Sequence, residues 1–176
     1  MPKGWERLVR WIVGLVALAV LALIGTEVVR WATDPGPPLG DERACAGTGV
    51  PLRQALAVTG LDLPAGAQDV HYLAQEDPAT GRVSLSLVLR TTRSAMTDYL
   101  ASHGIAVDRP GSLDDPRYSR VDTGMDPDLC GGVLRTPAVL LPLPAGDGTT
   151  ANAVVELDDS DAIRADTTVI MHASTR

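Results

Sequence analysis

The chain has 176 residues and carries 22 Asp and Glu against 15 Lys and Arg, a net charge of −7. That balance excludes nucleic acid as a partner, because tracking phosphates needs a basic field. Lys3 is the single lysine, so lysine nucleophiles, Schiff bases and Ser–Lys catalysis are excluded from everything that follows it.

The first element is the run "RLVRWIVGLVALAVLALIGTEVVRW", Arg7 to Trp31. Trp11 to Thr26 holds no charge. At about 1.5 Å per residue it covers roughly 24 Å, and extension to Leu8 and Val29 reaches the thickness of a hydrocarbon core. Arg10 snorkels to the headgroups and Glu27 lies within a turn of the far interface. The protein's three tryptophans, Trp5, Trp11 and Trp31, bracket the run as an aromatic belt does. The alternatives are a cleaved signal peptide and a buried core helix. Cleavage needs small residues just past the apolar core, and here the small pairs, Ala17 with Ala19 and Val20 with Ala22, lie inside it. The reading is therefore a signal-anchor in the lipid bilayer. Lys3, Arg7 and Arg10 on the short leading flank put the N-terminus in the cytoplasm and the C-terminal part outside.

This divides the chain into a cytoplasmic tail at 1–7, a transmembrane helix at 8–29, a Pro-rich stalk at 30–47 and an extracytoplasmic domain at 48–176. The stalk contains "ATDPGPPLGDERA", which has three prolines and no apolar period. Past Trp31 every basic residue is Arg; with abundant Ala, Gly and Asp and no Phe, that bias reads as a GC-rich genome rather than as an anion-binding surface.

Within the domain, "VPLRQALAV" forms a short helix with Pro51 in its first turn. "DVHYLAQED" and "RVSLSLVLR" alternate apolar and polar residues, and in the second Val83, Leu85, Leu87 and Leu89 share one face. With "PATG" between them they predict an antiparallel hairpin. "TTRSAMTDYLASHG" predicts an amphipathic helix across that hairpin, capped by Thr92 or Ser94, with Met96, Tyr99, Leu100 and His103 at helical spacing and Gly104 past its end. Asp108 to Gly132, rich in Pro, Gly and Asp, is a long surface loop. "VLRTPAVLLPL" is apolar, but Pro137 and Pro142 demote it to an edge strand or extended segment. "ANAVVELD" and "TTVIMHA" form a final strand pair around an acidic loop. The fold class is α+β: an N-terminal transmembrane helix followed by a mainly antiparallel sheet with a helix packed on one face.

The two cysteines, Cys45 and Cys130, admit one pairing, and outside the cytoplasm an even count reads as a disulfide. The alternative is two free or differently used thiols. In that case His71, Cys130 and Arg135 follow the chain order of sortase-like cysteine transpeptidases, which are also held by an N-terminal helix. "DPDLC" departs from that family's Thr-Leu-x-Thr-Cys motif, however. Glu156, Asp158, Asp159, Asp161 and Asp166 in "ELDDSDAIRAD" supply oxygen ligands of the kind calcium takes, as do Asp122, Asp126 and Asp128 more loosely. Neither stretch has the glycine and terminal glutamate of an EF-hand, and both read as solvated turns. His71, His103 and His172 are too far apart for a zinc pair; each reads as structural, with His103 at a helix C-terminus. No catalytic set and no cofactor site emerges.

"LDLPAGAQDVHY" and "VVELDDSDAIRADTTVIMHAS" resemble stretches of uncharacterised small membrane-anchored or secreted proteins of actinobacteria. The resemblance implies an envelope location and an α+β domain, and no catalytic residues. Together these readings describe a single-pass cell-envelope protein displaying a non-catalytic domain for an envelope protein, a wall polymer or a small ligand. The transpeptidase-like enzyme is the alternative. The interaction surface is expected on the long loop, at Arg117, Tyr118 and Arg120.

Overall fold

The computed structural model describes residues 36–107, 119–121, 129–130, 134 and 137–176, together with Val16, which is helical and exposed. The rest of the expected anchor lies outside the described residues, as do Arg117, Tyr118, Asp122, Asp126, Asp128 and Arg135. Among the described residues no helix is long and apolar enough to cross a membrane.

From Pro37 onward the chain forms one unit, an α+β domain built on a six-stranded sheet. Its elements are α1 (Leu52–Thr59), β1 (Gln68–Glu76), β2 (Val83–Thr92), α2 (Arg93–Ser102), β3 (Ser119–Val121), β4 (Ala138–Leu143), β5 (Thr149–Glu156) and β6 (Asp166–Thr175). The strand order is β1-β2-β6-β5-β4-β3, and every neighbouring pair is antiparallel. The hairpin expected from the alternation is present, with His71 opposite Val88 and Glu76 opposite Val83. Thr92 ends β2 and also caps α2, its Oγ1 accepting from the Ala95 N–H at 3.3 Å. Gly104 takes the left-handed φ of 75° that closes this helix without a Cβ clash.

Two helices, rather than one, cover the first face of the sheet. Leu52 and Ala55 of α1 and Met96, Tyr99 and Leu100 of α2 join Tyr72, Leu85, Leu87, Leu89, Val139, Leu141, Val155, Val169 and Met171 in the main core. Period two in the strands and a 3.6-residue stripe on the helices bring these side chains together.

The strand containing Pro142 is not simply an edge. β4 lies between β5 and β3, but β3 pairs only with Ala138 to Leu140. At Pro142 the outer side of β4 therefore carries no strand partner among the described residues, and the missing N–H costs no ladder bond there. At the opposite edge the chain from Arg43 to Val50 lies along β1. Tyr72 N–H donates to Arg43 O at 2.9 Å, Cys45 N–H to Tyr72 O at 2.8 Å and Gly49 N–H to Ala74 O at 2.8 Å. Backbone groups that would otherwise offer a template for association are satisfied within the chain. Arg43 locks this arrangement with a two-pronged ion pair to Asp41, both contacts at 2.9 Å. That guanidinium holds the Asp41 carboxyl down at about 2.

Candidate functional site

The second face of the sheet has a different character. Along it one row runs across the strands as His71, Val88, Ile170, Val154 and Leu140, each opposite the next. The adjoining row runs Leu73, Ser86, His172, Asn152 and Pro142. The first row is mostly apolar. Val88, Ile170, Val154 and Ala138 form a second buried cluster, closed by Cys45, Leu129 and Leu134.

Cys45 and Cys130 are joined in a disulfide, with a Cα–Cα distance of 5.3 Å across 85 positions of sequence. It ties Leu129 and Cys130, at the end of the stretch expected to be a loop, to the segment beside β1, and so places Leu129 on the apolar row. Its two ends differ: Cys45 is 2% exposed, whereas Cys130 is exposed. The Cys130 N–H donates to Cys45 Sγ at 3.0 Å, and Cys130 Sγ lies 3.8 Å from His71 Nδ1.

The adjoining row holds three half-buried polar side chains. Ser86 Oγ and His172 Nδ1 share a hydrogen bond of 2.9 Å, and burial pushes the His172 imidazole below its usual range. Asn152 Oδ1 is buried and has no hydrogen-bond partner among the described residues. Because the folded chain resists protonating His172, the unfolded chain binds that proton first. Stability should therefore be intact above about pH 6.5 and should fall as pH drops from there through the depressed folded value. Thermal melts at pH 7.5, 6.5 and 5.5 should show a shallower acid loss in His172→Gln than in the wild type. An unchanged slope would assign the loss to other groups.

The acidic stretch does not converge. The Glu156 side chain is buried and accepts from the Thr168 N–H at 3.1 Å. Asp158 accepts from Ser160 and from the Ala162 N–H within its own turn, and pairs with Arg93 at 2.7 Å. Ser160 above all, with those other donors, lowers its carboxyl. Asp166 pairs with Arg90, and Asp161 with Arg120 at 2.5 Å. Among the described residues no three His, Cys, Asp or Glu side chains could hold one metal ion.

Of the residues expected to form an interaction surface, Arg120 is the described one. It is exposed on β3, with its guanidinium donating to Asp161. His103 behaves as expected at a helix end, its Nδ1 2.9 Å from the Tyr99 carbonyl oxygen. Of the transpeptidase set, His71 and Cys130 are adjacent, but the Cys130 sulfur is bonded to Cys45 and is no nucleophile in that state.

The sequence names His172 as a structural histidine but does not bring it to Ser86 and Asn152, since the three lie on different strands and meet only through register. Compared with family models, with curated proteins and with solved structures, the chain matches none of them.

Proposed function

We propose that this chain is a single-pass envelope protein whose 8–29 segment anchors it in the membrane and whose sheet domain is displayed outside as a non-catalytic binding module. The observation that carries the reading is the disulfide between Cys45 and Cys130, since such a bridge persists in an oxidising compartment. A loop fastened to a rigid sheet at one end is a common setting for recognition. The proposed partner surface is that loop and the adjoining β3, at Arg117, Tyr118 and Arg120. The partner is an envelope protein or wall polymer. The actinobacterial resemblance supports the same location.

One preparation tests both halves. Membranes carrying the full chain should retain it through a carbonate wash, and the protein recovered should still begin at its original N-terminus. An N-terminus at Leu23 or beyond would remove the anchor. In the same membranes, replacing Arg117, Tyr118 and Arg120 together by Ala should abolish crosslinks to the partner while changing Tm by little; at Arg120, which is exposed, a substitution usually falls within about 0.5 kcal/mol. Crosslinks that survive the triple replacement would move the partner site elsewhere.

A further inference from the structure

We propose that the bridge between Cys45 and Cys130 is an exchange site for dithiols, with Cys130 as the sulfur attacked and His71 as the proton carrier. Three observations carry this, and none depends on what the displayed domain binds. The two cysteines are unequal in exposure: Cys45 is 2% exposed and sits in the second apolar cluster, while Cys130 is exposed. An incoming thiolate can therefore reach one end of the bond. The sulfur that would leave, Cys45 Sγ, already accepts the Cys130 N–H at 3.0 Å, a contact that strengthens as negative charge develops on it. An imidazole lies 3.8 Å from the attacked sulfur, and a thiol must lose its proton before it attacks.

The exchange runs in two steps. The first thiol of the dithiol gives its proton to His71 Nδ1 and bonds to Cys130 Sγ. The S–S bond to Cys45 breaks, and its electron pair leaves on Cys45 Sγ. The second thiol then attacks the dithiol's own sulfur in the mixed disulfide and expels Cys130 as a thiolate, which takes the proton from His71. The second thiol's proton goes to Cys45. The dithiol is oxidised to a disulfide, and the bridge is reduced to two thiols. Opening it also unfastens Leu129 from the apolar row.

Two arginines on the elements beside His71 are matched by carboxylates. Arg90 on β2 is held by Asp69 and Asp166, and Arg43 beside β1 is held by Asp41. The imidazole, 3.8 Å away, is thus the group placed to move a proton at this sulfur.

The test uses the full chain in detergent micelles. Treated with glutathione at pH 7, quenched with an alkylating agent and mapped by mass spectrometry, wild-type protein should carry the mixed disulfide on Cys130 and the alkyl group on Cys45. Reduction by dithiothreitol at pH 7 should be about tenfold slower in His71→Gln and His71→Ala, because a free thiol is only a few per cent ionised there. The gap should close near pH 9.5, where the thiol ionises unaided. Melting curves of the oxidised variants check that the fold is retained, and the glutathione map needs no variant at all. Glutathione on Cys45, equal rates at pH 7, or reduction no faster than global unfolding would each overturn the proposal.

Discussion

Replacing Cys45 and Cys130 together by Ala is expected to cost about 4.5 kcal/mol, the chain-entropy value for a loop of this length. The bridge spans 85 positions, so its absence frees a large part of the unfolded domain. For a unit of this size the loss corresponds to a fall in Tm on the order of 15 °C. The native state should survive it. Arg43 and Cys45 keep their backbone hydrogen bonds to Tyr72, and the main core on the first face does not involve the cysteines. Circular dichroism should therefore retain the strand signal below the transition, while limited proteolysis should cut sooner near Leu129. A loss under about 1 kcal/mol, within the usual scatter of mild substitutions, would mean that the loop is held by other contacts.

Leu87→Ala should cost about 3 kcal/mol, the middle of the range for truncating a buried leucine. Leu87 is 0% exposed in the centre of β2, opposite Tyr72 on one side and Met171 on the other. Around Leu87 the ladders to both neighbouring strands are continuous, so the sheet has little freedom to collapse into the space left behind. Ser86→Ala, one residue away on the other face, removes a hydroxyl from a half-buried site and is expected to cost about 1 kcal/mol, the worth of one hydrogen bond. Chemical denaturation of the two variants side by side measures the difference. Equal costs would contradict the assignment of faces in β2.

That assignment was already legible in "RVSLSLVLR", because a strand's side chains alternate whatever surrounds them. The hairpin, a cap at Thr92 or Ser94, Gly104 past the helix end and the disulfide were legible for similar reasons. Each rests on local geometry, or on there being one possible partner. Pro142 shows where such reasoning stops: a proline forbids a ladder bond on one side at one residue, and only the length of β3 decides that β4 is flanked by a strand as far as Leu140 and, among the described residues, open at Pro142.

The candidate site divides the same way. The order and chemistry of His71, Cys130, His172 and the acidic residues are in the sequence, but their neighbours are not. Strand order places β6 between β2 and β5, and register then puts His172 opposite Ser86 and Asn152. The crossing of the Arg43 segment along β1 brings the disulfide to His71. The dispersal of Glu156, Asp158, Asp161 and Asp166 among a buried hydrogen bond, a tight turn and separate arginines is likewise a result of packing. Alternation, helical spacing, caps and cysteine count are properties of consecutive residues and determine the elements, their faces and the single bridge. Which polar groups meet depends on non-local strand pairing, settled by the burial of two apolar surfaces at once, and that was decided only in the tertiary structure.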